Sequence, residues 1–217
     1  MVRAPLRRLA KLGWWTLSGQ LPRRLRERRA LRVIRASGVF DADFYLEMDP
    51  EVGSSGLDPV THYVRHGAAE GRDPSPLFDT GYYLERNPDV RLAVVNPLAH
   101  YLQQGAAEGR DPNPWFDVCY YLEHNPFVRE AQLDPLVHYL KVGAAAGRNP
   151  SPRFDTDWYR STYPDVSGTG VNPLLHFLRW GRAEGRQPMP AAAPATAELG
   201  ALPTEPAQVR GIRLVLA

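Results

Sequence analysis

The sequence predicts an all-α protein: a solenoid-like array of four 38-residue, two-helix repeats behind a basic amphipathic helical arm. Three observations carry that prediction. The first is a constant period. Phe-Asp opens at Phe40, Phe78, Phe116 and Phe154, a histidine follows at His62, His100, His138 and His176, and Gly-Arg closes at Arg72, Arg110, Arg148 and Arg186. No insertion or deletion breaks the spacing. A fixed period of this size marks an array in which each unit buries its apolar face on its neighbours. The second is that every copy holds two helix-start signals, and the third is that no stretch sustains the period-two alternation of a strand.

The arm occupies residues 1–38. It holds eleven Arg or Lys against the single Glu27, a net +10, whereas the remaining residues hold fifteen against twenty-three, a net −8. A basic arm on an acidic body points to an anionic partner for the arm. Leu6, Leu9 and Leu12 fall on one face of a helix beside Arg7, Arg8 and Lys11, followed by Trp14 and Trp15; after Gly19, Pro22 restarts a helical pattern containing Arg23 and Arg24. One reading lays these cations and tryptophans on an anionic membrane, as a basic amphipathic helix with aromatic anchors does. The other packs the arm on the first repeat with the tryptophans as core. Nucleic acid is disfavoured, because nothing beyond plain charge favours it. No apolar run reaches the length of a signal-peptide core or a membrane span, and a twin-arginine signal lacks its apolar segment. The chain is expected in the cytoplasm, with peripheral attachment at the inner face of the membrane under the first reading; an organelle transit peptide has the same Arg-rich composition.

The repeats, 39–190, divide as 40–77, 78–115, 116–153 and 154–190. In the second copy Asp79 is placed as N-cap, with Phe78 and Tyr83 at the hydrophobic-staple positions, and Phe40/Tyr45, Phe116/Tyr121 and Phe154/Tyr159 repeat the pair. Asn87-Pro88 ends this first helix, and one further turn follows. Asn96-Pro97 restarts, as do Asp58-Pro59, Asp134-Pro135 and Asn172-Pro173, with proline at the first helical position. This second helix is expected to stop at Gly105 as a left-handed C-terminal glycine. Arg160, Ser161 and Thr162 make the last copy more polar, as a terminal repeat requires. Residues 191–208 read as a Pro/Ala linker. Residues 209–217, ending in an apolar run, read as the first strand of an α/β domain lying beyond Ala217, or else as a tail docked on the last repeat.

Composition excludes several classes. Hydrophobic content of 43% is too high for a disordered tail, and a lone Cys119 excludes an internal disulfide framework. The repeated histidines, one per copy, are too few to converge on a metal, so no metal and no cofactor are expected; a local packing role is read for them. His66 and His124 fall out of register and read as surface residues. The arginine ladder Arg72, Arg110, Arg148, Arg186 offers either an anion- or glycan-binding face or structural forks reaching carbonyls or the capping Asp41, Asp79, Asp117 and Asp155. No nucleophile elbow, phosphate loop or dinucleotide fingerprint occurs.

The skeleton FD..YYL..NPDV....NPL.HYL..GA.EGR.P.P, over 40–190, resembles a tandem repeat of large bacterial proteins of cell-surface glycan assembly, and WWTLSGQLPRRLR resembles its lead-in. Glycosyltransferases, rhamnan-synthesis types among them, carry such repeats beside their catalytic domain, and some secreted calcium-binding bacterial proteins carry similar units. The resemblance implies a context rather than a catalytic residue. The leading expectation is a non-catalytic scaffold region with a protein or glycan-assembly partner, placed at the membrane. A fragment of an active glycosyltransferase, and a carbohydrate-binding module using the exposed members of Phe44/Tyr45, Tyr82/Tyr83, Tyr120/Tyr121 and Trp158/Tyr159, are the alternatives.

Overall fold

The computed structural model describes residues 23–54 and 56–191, and all the regular structure there is helical. The arm contributes α1 (Arg23–Ser37). Each repeat then supplies three helical pieces. In order they are α2 (Ala42–Met48), α3 (Pro50–Ser54) and α4 (Pro59–His62); α5 (Thr80–Arg86), α6 (Pro88–Leu92) and α7 (Pro97–His100); α8 (Val118–His124), α9 (Pro126–Glu130) and α10 (Pro135–His138); α11 (Thr156–Thr162), α12 (Pro164–Thr169) and α13 (Pro173–His176). The expected further turn is thus a short helix of its own, and the unit is a capped helix, a proline-led turn and a second helix.

The caps form as their sequence dictates. The Asp79 carboxylate accepts the Tyr82 N–H at 2.7 Å, and Asp41, Asp117 and Asp155 do the same in their copies. Phe78 and Tyr83 rings meet at 5.2 Å. Asn87 ends α5 by donating its side-chain amide to the Tyr83 carbonyl at 2.7 Å, a bond to one of the last carbonyls of the helix. At the second start, Asn96, Asp134 and Asn172 accept the expected backbone N–H. Asp58 does not, because its carboxylate is taken by Arg35 of α1 and by Thr61.

The second helix differs from expectation at its end. Gly105 is not its terminus. After α7 the chain makes a π turn over Tyr101–Gly105, closed by the Ala106 N–H on the Tyr101 carbonyl at 3.0 Å. One more turn follows, and Gly109 at φ 74° is the left-handed residue. The Arg110 N–H reaches the Gly105 carbonyl at 2.9 Å and the Gly109 N–H the Ala106 carbonyl at 3.2 Å, the paired bonds of a Schellman cap. Gly67, Gly143 and Gly181 occupy the same place as Gly105 in the other copies. What Gly105 provides is clearance: a Cβ there would overlap the Tyr83 hydroxyl.

Three rings per copy form the core. Phe78, Tyr83 and Tyr101 are mutually in contact, with centroids 5.2–6.0 Å apart and the two tyrosines edge-on. The first, third and fourth copies repeat this with Phe40/Tyr45/Tyr63, Phe116/Tyr121/Tyr139 and Phe154/Tyr159/Phe177. The helices are too short to be stable alone in water, so these rings must hold them, each contributing roughly 1.5–3 kcal/mol by burial. Consecutive copies are tied by polar bonds as well. The Thr80 N–H donates to Asp73 at 2.8 Å, its hydroxyl donates to the Arg72 carbonyl at 2.8 Å, and Val118 and Thr156 repeat the first bond with Asp111 and Asn149.

The array is not a straight stack. Trp115, closing the second copy, meets Phe177 of the fourth at 4.8 Å, and Arg179 of the fourth reaches Glu47 of the first at 2.5 Å while lying over the Phe44 ring. The chain therefore curls back on itself. At the other end Ala30 and Ile34 of α1 are buried against the first two copies, and Glu27 accepts Arg65 at 2.7 Å. Arg65 and Arg179 are equivalent positions, so α1 stands where an earlier repeat would and caps the array. The first half of the arm, with Arg7, Arg8, Lys11, Trp14 and Trp15, lies outside the described residues, as do the linker beyond residue 191 and the strand expected at 209–217.

Gly105→Ala should destabilise the fold by about 1–3 kcal/mol, the usual range for forcing a methyl into a filled core. Gly53→Ala, where a Cβ meets nothing within 4 Å, should be neutral or slightly stabilising. Denaturant melts of the two variants side by side check this.

Candidate functional site

The repeated polar residues are the candidates for chemistry, and their geometry decides what they can do. Each repeat histidine binds a tyrosine. The Tyr83 hydroxyl lies 2.8 Å from His100 Nδ1, and Tyr121–His138, Tyr45–His62 and Tyr159–His176 follow at 2.8, 3.0 and 3.0 Å. The partner is the buried tyrosine of the first helix of the same copy. Burial, aided by the neighbouring Arg110 charge, pushes His100 down from 6.5 to about 4, so the ring is neutral near pH 7. Its Nδ1 then accepts the tyrosine O–H and its other nitrogen carries the proton. Burial also holds the Tyr83 and Tyr121 hydroxyls well above the usual phenol range, so they stay donors. A neutral histidine locked to a protonated tyrosine has no proton to exchange near neutrality and serves as a polar tie. Among the described residues no group of three or more His, Cys, Asp or Glu is arranged to hold a metal ion.

The arginine ladder is used differently in different copies. Arg110 clamps Asp89 through both terminal nitrogens at 2.9 and 2.8 Å, binds Glu108 through Nε at 2.8 Å, and donates to Asn87 at 2.8 Å. Arg186 binds Asp165 at 3.0 Å and Glu184, and stacks on Tyr163, which stands in the place of Asn87. Arg72 pairs with Asp49 and Glu70. The forks thus form, but on acids of the proline-led turn and of the helix end rather than on the capping aspartates. Arg148 departs from its sisters. Phe127 stands where Asp89 does and Ala146 where Glu108 does, and Arg148 lies exposed over the Phe127 ring at 5.5 Å.

The aromatic pairs divide by depth. Tyr45, Tyr83, Tyr121 and Tyr159 are buried, whereas Phe44, Tyr82, Tyr120 and Trp158 are half-buried at the surface. Phe44 is covered by Arg179, Tyr82 by Arg86 at 5.0 Å, and Tyr120 stacks on His124 at 3.9 Å. His66, His124 and Cys119 are exposed. On α1, Arg24, Arg28, Arg29 and Arg32 are exposed, and Arg24, Arg28 and Arg32 form a row opposite buried Ala30 and Ile34. Of the two α1 arginines that the sequence singles out, Arg24 lies in this row and Arg23 opens the helix; Arg28 and Arg32 stand out in the sequence only as charge.

Fold and geometry define a class, an all-α tandem-repeat array whose repeated polar residues are largely committed to intrachain contacts. No family model matches the chain, and no curated protein or solved structure matches it. Among the described residues no helix is long and apolar enough to cross a membrane.

Two tests address the polar ties. Tyr83→Phe strands a buried ring nitrogen and should cost about 1–3 kcal/mol in chemical denaturation at pH 7. Asp134 supplies a pH test. Burial raises it from 3.8 to about 6, and its second carboxylate oxygen is buried without a partner. Because its folded pKa lies above the unfolded value, ionisation opposes folding, and stability is lost as pH rises from about 4 to about 6. Asp134→Asn, the residue the chain itself uses at Asn96 and Asn172, keeps the cap and removes that charge. It should stabilise at pH 7 by on the order of 1 kcal/mol, with the gain gone below about pH 4; thermal melts across this range read it out.

Proposed function

We propose that this chain is a non-catalytic scaffold region of a bacterial cell-surface glycan-assembly protein, with the array as an interaction body and the basic arm positioning it on an anionic membrane surface. The glycan-assembly context rests on the resemblance of the repeat skeleton. The positioning role rests on one observation: α1 is fixed to the array through Ala30 and Ile34 while Arg24, Arg28 and Arg32 face outward in a row. A helix anchored on one face and cationic on the other is a rigid electrostatic footprint, each cation near an anionic surface adding about 1 kcal/mol. Arg7, Arg8, Lys11, Trp14 and Trp15 precede it in sequence and supply further charge with two interfacial aromatics. The scaffold role is supported by the use of the repeated histidines and of three ladder arginines in holding the fold together.

The full chain should co-sediment with phosphatidylserine-containing vesicles at low ionic strength and dissociate as salt rises through physiological values. Changing Arg24, Arg28 and Arg32 together to Gln should weaken binding, and removing residues 1–22 should weaken it further, with the array still folded because the buried face of α1 is kept. Equal binding to neutral and anionic vesicles, or an unaltered triple variant, would refute the positioning role.

A further inference from the structure

The third copy breaks the arginine ladder in a way that opens a site. A cleft of about 170 Å³, open to solvent, is lined by Tyr120, His124, Asn125, Gly147, Arg148 and Asn149. In the second copy the equivalent arginine is held at 20% side-chain exposure by two carboxylates and by Asn87 Oδ1. In the third copy both acids are gone, replaced by Phe127 and Ala146, and no carboxylate pairs with Arg148 among the described residues. Asn125 is 2% exposed, its amide nitrogen bonds the Tyr121 carbonyl at 2.8 Å, and its Oδ1 has no donor. A neighbouring acid, Asp157, lies against Gly147 but is taken by Arg160 at 2.5 Å. His124 donates its Nδ1–H to the Tyr120 carbonyl at 2.9 Å, which fixes its stacked ring at the rim.

A guanidinium without its two acids, beside a buried Asn125 Oδ1 that it does not reach as Arg110 reaches Asn87, is an incomplete copy of a constellation that is complete one repeat away. What the third copy lacks is a carboxylate on the guanidinium and a donor on Asn125 Oδ1, which in the second copy is Arg110 itself. We propose that this cleft binds a small hydroxylated carboxylate, the chemistry of a single sugar-acid unit: its carboxylate takes the edge of Arg148 that Glu108 takes on Arg110, and a hydroxyl donates to Asn125 Oδ1. Guanidinium and carboxylate match as a planar, two-point pair. The lining is chiefly polar, which suits a hydroxylated ligand better than an aliphatic acid. The cleft lies below the ~300–1,000 Å³ of drug-sized pockets, which restricts it to one such unit. This site does not depend on the scaffold role or on membrane attachment.

The test is a titration of the full chain with glucuronate, followed by NMR at the backbone amides of Tyr120, His124 and Asn149 and at the Arg148 side chain. Saturable shifts confined to these residues are expected, with glucose and acetate each giving much weaker ones. Ala146→Glu is the decisive variant. It restores the internal carboxylate that Arg110 has in Glu108, should leave the fold intact, and should weaken glucuronate binding about tenfold or more, since it occupies the same guanidinium edge. Arg148→Gln should do the same. Acetate or inorganic phosphate binding as well as glucuronate overturns the proposal, as does binding that survives Ala146→Glu or the absence of saturable shifts in the wild-type chain.

Discussion

Everything in the array depends on one arrangement: a fully buried tyrosine whose hydroxyl must find a partner. Tyr83 is 0% exposed, and a phenol hydroxyl left unpaired inside a core costs roughly 1–3 kcal/mol, comparable to what the ring's burial contributes. His100 answers it at 2.8 Å, and Gly105 passes over it without a Cβ. The three residues come from different helical pieces of one copy, so the bond fixes how those pieces cross. The π turn and the Schellman cap follow from it, because the second helix has to carry a glycine across the hydroxyl before it ends. That the arrangement recurs in all four copies, with Tyr45, Tyr121 and Tyr159, explains why histidine and glycine are periodic as strictly as the aromatics.

Around this fixed core the copies are free to differ, and the differences sort into ends and middle. The first copy spends Asp58 on Arg35, giving up the side-chain cap so that α1 is pinned against it. The last copy replaces the asparagine by Tyr163, which becomes a platform for Arg186. The middle copies resemble each other most, yet they part at the acids: the second is a closed electrostatic unit and the third is not. An array tolerates such a change locally, since each unit depends chiefly on its neighbours.

Local chemistry made most of the repeat legible. Asp79 as cap, Phe78 with Tyr83 as staple and Pro97 as a first helical residue are contacts within a few positions of one chain, and a sequence states them directly. Gly105 was misplaced because a glycine that ends a helix and a glycine that clears a side chain look alike in sequence; only the approach of the Tyr83 hydroxyl, contributed by another helix, separates them. The histidine's partner was hidden for the same reason, since Tyr83 and His100 are seventeen residues apart. The acids chosen by the arginines were hidden too: Asp79 and Asp89 are equally plausible until the turn at Pro88 aims one of them at Arg110.

The sequence by itself determined the helical class, the register of the four copies, most of their N-terminal caps and the staple aromatics of their core, because a strict period superimposes four statements of the same local physics. Only the tertiary structure decided how the copies meet: that Arg179 closes on Glu47, that Trp115 packs on Phe177, that α1 stands where an earlier repeat would, and that Arg148, alone of the four ladder arginines, pairs with no acid among the described residues. These are contacts between distant copies made by residues that do not repeat. A period carries no information about them; they are fixed by the curl of the array, which sums small rotations between units that no single repeat encodes.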